Sequence, residues 1–245
     1  MLRGENHCRL AQLRVSPMIG ERSALCAARC DGMRELPMTN KTHWEQVYQS
    51  KPSDTVSWYQ PHSEKSLALI RGIAGASVVD LIDVGAGASS LVDDVLSEGL
   101  AAVTVLDISA TALAQVQQRL RERARAVRWI EADVTQASLP SSAFDIWHDR
   151  AVFHFLTESA QREAYVAQVR RTVKPGGHVL LATFAAHGPH TCSGLPVMRY
   201  TAQGLHEVFG PSFELLSHSG EDHRTPAGAV QSFVYAHMQR LAGSN

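Results

Sequence analysis

The sequence predicts an α/β domain built on a doubly wound, mostly parallel sheet. Three observations carry that expectation. Short apolar runs alternate with helical periodicity between residues 78 and 184, the rhythm of consecutive βαβ units. Several of those runs are apolar without alternation, as strands buried on both faces should be. The first run closes on "LIDVGAGASS", an acid followed by two glycines at a strand-to-helix turn. Turns of that kind let a nucleotide or nucleoside approach the backbone at the carboxyl edge of the sheet.

The elements follow in order. "TNKTHWEQVYQSK" reads as a short helix with Thr42 as N-cap and Glu45 three residues on, the spacing of a capping box. "SDTVSWYQPH" is a loop marked by Pro52 and Pro61. "SEKSLALIRGIAG" places Leu67, Ile70 and Ile73 on one helical face. Strands are then expected over 78–84, 102–106, 127–130, 144–147 and 178–184. Helices are expected over 89–98, 110–123 and 158–173, with Leu91, Val92, Val95, Leu96, Leu113, Val116 and Leu120 turned inward. "KPGG" should stop the last of these helices. "TAQGLHEVFG" is a short helix. Strands over 213–218 and 230–237, joined at "TPAG" without a crossover helix, should be antiparallel neighbours.

Composition narrows the class. A chain of 245 residues with 44% apolar content holds one cored domain. No apolar run approaches the ~18 residues of a membrane span. A net charge of −1 argues against nucleic acid as the main partner. Residues 1–37 carry Arg3, Arg9, Arg14, Arg22, Arg29 and Arg34 but no lysine, and no sustained period. They are expected to be a disordered arm, or an extension upstream of a natural start at Met38. Residues 38–245 are expected to be a single domain with lid helices over 38–75. Cys8, Cys26 and Cys30 lie in the arm and Cys192 in the body. A body with one cysteine has no disulfide framework, so a reducing, cytoplasmic setting is expected. Cys26 and Cys30 read as free thiols.

Acids stand at the ends of successive parallel strands. A dinucleotide fingerprint G-x-G-x-x-G would need its third glycine where Ser90 stands. Asp83, just ahead of the turn, suits a cationic ligand group better than a pyrophosphate. Asp107 ends "VLDIS" twenty residues beyond Gly87, where an acid reaches ribose hydroxyls. Asp133 and Val134 in "EADV" offer an acceptor and a backbone N–H to an adenine edge. His148, Asp149 and Arg150 end the fourth strand.

Taken together, "LIDVGAGAS", "VLDIS", "EADV", "FDIWHDRAVFHFL" and "VKPGGHVLLATF" resemble the class I S-adenosylmethionine-dependent methyltransferases, from about Trp44 to the C-terminus. The chain departs from that family at Ser89, where a third glycine is usual. The resemblance implies a Rossmann-like methyltransferase fold, a seven-stranded sheet in the order 3-2-1-4-5-7-6 with strand 7 antiparallel, and S-adenosyl-L-methionine as cofactor. It further implies that Gly85, Ala86 and Gly87 pass under the amino-acid moiety, with Asp83 near its ammonium. Asp107 would hold the ribose, Ile108 pack on adenine, and Asp133 and Val134 meet the adenine edge. His148 and Asp149 would flank the methionyl part and the methyl group.

Three regions are candidates for the acceptor side. Trp44, Tyr48, Trp58 and Tyr59 crowd one stretch of a chain that is 7% aromatic, and suggest a lid in which Trp58 covers the cofactor. That stretch is similar to the amino-terminal segments of thiopurine- and thiol-type methyltransferases and of some elongation-factor lysine methyltransferases. His154 is a candidate base, grouped with Asp149 and Arg199 as catalytic. "FAAHGPHTCSGLPVMRY" is a long polar loop expected to form a substrate wall, with Arg150, Cys192, Arg199 and Tyr200 contacting the acceptor. His187, His190 and Cys192 do not have a standard zinc spacing, and no metal is expected.

The expected function is methyl transfer from S-adenosylmethionine to a small-molecule acceptor, a thiol, sulfide or related chalcogen compound. The alternative is a protein lysine methyltransferase of the same fold. A cofactor-binding partner subunit without catalysis and a nicotinamide oxidoreductase are more distant readings. The protein is expected to act as a monomer or homodimer, away from nucleic acid and membranes.

Overall fold

The computed structural model describes residues 40–243. The expected arm, with Cys8, Cys26 and Cys30, lies outside the described residues. Within them, α1 (Asn40–Ser50) and α2 (Glu64–Ala74) precede the alternating core of β1 (Val79–Val84), α3 (Leu91–Glu98), β2 (Ala101–Asp107), α4 (Ala110–Leu120) and β3 (Val127–Glu131). The core continues with β4 (Phe144–Arg150), α5 (Ser159–Thr172) and β5 (Val173–Phe184). A two-residue hairpin, β6 (Thr191–Cys192) and β7 (Leu195–Pro196), comes next, then α6 (Ala202–Phe209), β8 (Phe213–Arg224) and β9 (Val230–Arg240).

The main sheet has the order β3-β2-β1-β4-β5-β9-β8. With the small hairpin set aside, this is the expected 3-2-1-4-5-7-6. The first five strands pair in parallel, and β9 runs antiparallel to both β5 and β8. Chain direction from β1 diverges on either side, so the crevice at the carboxyl ends of β1 and β4 is the topological switch point.

Alternation along β1 divides two cores. Ile82 and Val84 pack with Trp147, Phe153, Tyr165 and Val169 on the α5 face. Leu81 packs with Ile70, Leu91, Val95 and Val116 on the face covered by α2, α3 and α4. Each such side chain, fully buried, contributes about 1.5–3 kcal/mol. The register sets Asp83 beside His148 and Val84 beside Asp149. Successive residues of a strand point to opposite faces. Asp83 and His148 therefore share one face, and Asp149 belongs to the other.

Several local expectations change. Thr42 lies inside α1, which already starts at Asn40. The Glu45 carboxylate caps a different helix, accepting from Ala110 N at 2.6 Å and Thr111 N at 3.2 Å at the start of α4. A carboxylate favours that end of the helix dipole. Burial alone would raise its pKa, but hydrogen bonds from Thr111 and Ala110 hold Glu45 below the usual carboxylate value. Gln115 Nε2 donates to Tyr48 O at 2.9 Å, and Lys41 pairs with Glu131. These contacts dock α1 across the carboxyl ends of β2 and β3. "KPGG" does not end a helix before a separate strand, because β5 already begins at Val173. Ser193 and Gly194 both take positive φ, 51° and 79°, as a type I′ hairpin turn requires. The polar loop is thus partly a hairpin. Among the described residues no helix is long and apolar enough to cross a membrane.

Removal of the Glu45 cap tests the docking of α1. Glu45→Ala should lower stability by about 1 kcal/mol, or about 2–4 °C in melting temperature for a domain of this size. Amide exchange in 40–50 and in the first turn of α4 should accelerate while the β4–β5 amides stay protected.

Candidate active site

The carboxyl ends of β1, β2, β3 and β4 open into a cleft with two lobes, of about 870 Å³ and 530 Å³ measured to their mouths. The larger lobe has Leu106, Asp107, Ile108, Asp133, Val134 and Thr135 along one side, and Trp44, Tyr48, Trp58, Phe155 and Cys192 along the other. The smaller lobe is lined by Asp83, Ala86, Ala88, Ser89, His148 and the loop residues Tyr59, Gln60 and Ser63. Trp58, Gly85 and Arg150 belong to both lobes. Together they have the mixed polar and apolar lining expected of a small-molecule site.

In the smaller lobe, His148 bridges two buried partners. Its Nδ1 lies 2.7 Å from Asp83 Oδ1 and its Nε2 lies 2.8 Å from Ser66 Oγ. The other Asp83 oxygen, Oδ2, is buried with no partner among the described residues. An unpartnered buried carboxylate oxygen is costly, and a cationic ligand group would relieve it. Gly85 has φ +60°, and a Cβ there would overlap Val152. Gly87 has φ +55° and lies directly beneath the Tyr48 hydroxyl, so α1 covers it and it does not line either lobe.

In the larger lobe, Asp107 is buried and accepts from Gly87 N at 2.7 Å and Ser109 N at 2.8 Å. Burial pushes its pKa up to about 6, against the pull of those two amides. Burial, with Asp107 adjacent, also holds the Tyr48 phenol well above its ordinary value. Asp133 Oδ1 takes both Thr135 N, at 2.8 Å, and Thr135 Oγ1, at 2.7 Å.

The residues present fit S-adenosylmethionine. An ammonium would meet Asp83 Oδ2, a ribose diol would meet Asp107, and an adenine would lie between Ile108, Asp133 and Val134. Ala86 and Trp58 line the cleft as expected.

Other expected site residues lie elsewhere. Asp149 is buried on the α5 face, where it accepts from Val152 N at 2.9 Å, Phe153 N at 3.1 Å and Tyr165 OH at 2.5 Å. Burial raises its pKa to about 6. It shapes the turn after β4 and does not line the cleft. The reason is the strand alternation that brings His148 and Arg150 to the cleft and turns the residue between them away. His154 is packed 4.5 Å from the Phe155 ring and 4.6 Å from the Phe184 ring, measured between centroids. Its Nδ1 accepts from Phe184 N at 3.3 Å, and burial lowers its pKa to about 3. It reaches neither lobe and is too weak a base for neutral pH.

The segment over 185–200 contributes less of a wall than expected. Its hairpin tip meets α1 through the His43–Ser193 contact and brings Cys192 into the larger lobe. The chain then turns back beneath: Met198 N donates to His154 O and Tyr200 N to Phe184 O. Tyr200 ends in the α5-face core, 5.6 Å from Phe153. Arg199 reaches Gly188 O at 3.4 Å. Neither lines the cleft. Burial pushes the Cys192 thiol up to about 11, with Ser57 as its hydrogen-bond partner.

Arg150 does line the cleft. Its partners, Glu221 and Tyr235, come from β8 and β9 and were not singled out in the sequence. They are 71 and 85 residues away, in strands whose outward positions look like ordinary polar surface. No local pattern marks them. Val152 and Ser66 were missed for the same reason.

The sheet order, the terminal antiparallel strand and an acidic glycine turn at the switch point define the class I methyltransferase fold. Residues 82–181 match the family model described as "Methyltransferase domain". Residues 82–181 therefore match a methyltransferase domain, carried on the fold of the class I, S-adenosylmethionine-dependent methyltransferases. A relative from Bos taurus, "eEF1A lysine and N-terminal methyltransferase", is 24% identical over 164 residues, covering 62% of this chain and 23% of that protein. The chain thus spans about a quarter of that relative's length. Among solved structures, one concerned with "Conversion of a Disulfide Bond into a Thioacetal Group during Echinomycin Biosynthesis" superposes with TM-score 0.65 at 17% identity, covering 82% of this chain and 92% of that one. The N-methyltransferase NodS from Bradyrhizobium japonicum WM9, in complex with S-adenosylhomocysteine, superposes with TM-score 0.62 at 14% identity, covering 81% and 98%.

Two outcomes test the cleft. Gly85→Ala forces a methyl group into Val152 at a left-handed φ, and should cost about 1–3 kcal/mol of stability. Calorimetry should show S-adenosylhomocysteine binding weakened by an order of magnitude or more. Asp107, with its pKa near 6, takes up a proton as pH falls through that value and then offers less acceptor capacity. Affinity for S-adenosylhomocysteine should fall about tenfold between pH 7 and pH 5, and Asp107→Asn should bind weakly with little pH dependence. The sign for stability is opposite. A raised carboxyl pKa means that the ligand-free fold loses stability as pH rises from 3.8 towards 6.

Proposed function

We propose that this protein transfers the methyl group of S-adenosylmethionine to a small-molecule acceptor through a thiol, sulfide or related chalcogen atom. The observation that carries this reading is an aromatic wall on which, among the described residues, no base stands. Trp44, Tyr48, Trp58 and Phe155 interlock, with Trp44–Trp58 and Trp44–Phe155 centroids 5.6 Å and 5.1 Å apart in edge-to-face contact. His154 lies outside the cleft, and the Cys192 thiol stays protonated at neutral pH. An amine or hydroxyl arrives protonated and needs a base, whereas a thiol ionises unaided at about pH 8.5. A reducing, cytoplasmic setting belongs to the same reading.

The structural neighbour concerned with converting a disulfide to a thioacetal agrees with sulfur chemistry on this fold. The eEF1A lysine and N-terminal methyltransferase relatives favour a second reading, a protein lysine methyltransferase. A lysine side chain would have to shed its proton beneath an aromatic roof, and the acids that line the cleft, Asp83, Asp107 and Asp133, all stand on the cofactor side.

Labelled cofactor separates the two. Small alkyl and aryl thiols should become methylated, with turnover rising with pH towards the thiol pKa, and a cell lysate should yield no discrete labelled protein band. His154→Gln should retain thiol turnover within about threefold, because an imidazole outside the cleft supplies none of the ~10²–10⁴-fold of a general base. Labelling confined to a protein band would replace the thiol reading with the lysine one.

A further inference from the structure

Among the described residues that line the two lobes, Arg150 is the one permanent cation. Its guanidinium is held on several sides. Nε donates to Tyr235 OH at 3.1 Å, Nη1 to Trp58 O at 3.3 Å and Nη2 to Glu221 Oε2 at 3.4 Å. One face stacks on Phe233, 4.4 Å from the ring centroid. Glu221 is itself fixed by Tyr235 OH at 3.2 Å and Gln60 Nε2 at 3.4 Å. The Arg150 side chain is only 9% exposed. A guanidinium has five N–H donors, so bonds remain unused on both terminal nitrogens. A buried cation with one long carboxylate contact is poorly compensated, and an anion in the cleft would complete it.

The position of this cation matters. Arg150 is shared by both lobes, with Trp58 and Gly85. A ligand with its amino-acid part in the smaller lobe and its adenosine part in the larger would pass these three residues at the joint between the two. In S-adenosylmethionine that joint is the positively charged sulfur. An acceptor reaching the same place meets a cation on each side, so an ammonium is repelled and an anion is drawn in.

We propose that the acceptor is bound as an anionic thiolate by Arg150, and that Glu221 and Tyr235 are positioning residues that hold the guanidinium towards it. This rests on the thiol reading above and deepens it. The acceptor sulfur forms the new S–C bond as the sulfonium S–C bond breaks and leaves its electron pair on the cofactor sulfur, so thiolate and sulfonium give two neutral thioethers. The acceptor's proton has already gone to solvent, and Arg150 takes the place of a base by favouring the ionised acceptor. The groups facing the guanidinium include Glu221 and His223 from β8, Tyr235 from β9, Cys192 from the hairpin and His154 from the turn after β4, whose imidazole burial and Arg150 both keep neutral. His148 and Asp83 lie across the smaller lobe. Burial keeps His223 below its usual value, so it adds no competing charge near neutral pH.

The test reads ionisation directly. Thiophenol, whose thiolate absorbs at longer wavelength than its thiol, is bound to the S-adenosylhomocysteine complex and titrated by absorbance. In the wild type its pKa should fall by about one unit or more from the value in water, as beside a close cation. Arg150→Met should abolish the shift, and Arg150→Lys should restore part of it. Tyr235→Phe, which loosens the guanidinium without removing its charge, should keep part of the shift, whereas Glu221→Gln, which also removes a countercharge, should keep or deepen it. They should also lower kcat about tenfold at little-changed acceptor KM, as lost alignment does. Melting temperature and S-adenosylhomocysteine affinity report folding for each variant. Should Arg150→Met fail to fold, the Lys variant and the two partner variants carry the comparison. Unshifted titration in the wild type, or a shift that survives Arg150→Met, overturns the assignment. A shifted, Arg150-dependent titration with no thiol turnover supports it and overturns the thiol reaction instead.

Discussion

Parallel pairing of β1 with β4 sets Asp83 level with His148, and most of the site depends on that register. Side chains of consecutive strand residues leave the sheet on opposite faces. The pairing therefore sends Asp83, His148 and Arg150 to the cleft and Asp149 to α5. A shift of one residue would exchange the two sets. It would bury Arg150 in the aromatic core and expose the carboxylate that caps the turn after β4. Ser66 and Tyr165 hold the arrangement from the two faces, one on His148 and one on Asp149.

On top of this frame, the N-terminal helix and the small hairpin form a roof. Neither is part of the sheet, and each is attached by a few polar contacts. Glu45 binds the start of α4, Lys41 binds Glu131, and His43 meets Ser193. The underside of α1 is aromatic, with Trp44 and Tyr48, and the hairpin adds Cys192. The result is a cleft with acids along its floor and an apolar cover, in which charges count for more than they would in water. Two of those acids, Asp83 and Asp107, are buried, and Asp83 has an oxygen without a partner among the described residues. A ligand with positive charge and several hydroxyl groups complements that floor. Arg150, shared by the two lobes, carries the opposite sign to the acids, so charge is divided along one cavity.

The glycine turn shows how tightly the parts are coupled. Gly85 leaves room for Val152 from the turn that Asp149 caps, and Gly87 leaves room for Tyr48 from the roof. The same short segment thus accommodates a neighbour from each face. Its departures from more common glycine patterns are structural as well: Ser90 Oγ donates to Pro61 O at 2.8 Å, and Ser89 Oγ accepts from Leu91 N at 3.1 Å. The first bond tethers the loop before α2 to the start of α3, and the second caps α3 locally.

The amino-acid sequence alone determined the sheet, its order by family resemblance, and which residues stand at the strand ends that line the cleft. Those features arise from local periodicity and from residues at strand ends, where an acid or glycine stands at a predictable point relative to a buried run. Asp83, Gly85, Asp107, Ile108, Asp133, Val134 and His148 were legible for that reason, and so was the aromatic stretch of the roof. Tertiary structure decided the rest of the cleft. His154 has the spacing of a site residue but falls among Phe155, Phe184 and Phe233, because the short 3-10 turn after β4 rotates it inward. Arg199 and Tyr200 follow a hairpin whose turn sends them beneath the cleft. Arg150 owes its setting to Glu221 and Tyr235 from the last two strands, and contacts between residues so far apart in the chain leave no periodic trace. Only packing of the antiparallel β8–β9 pair against β5 brings that carboxylate and phenol to the arginine.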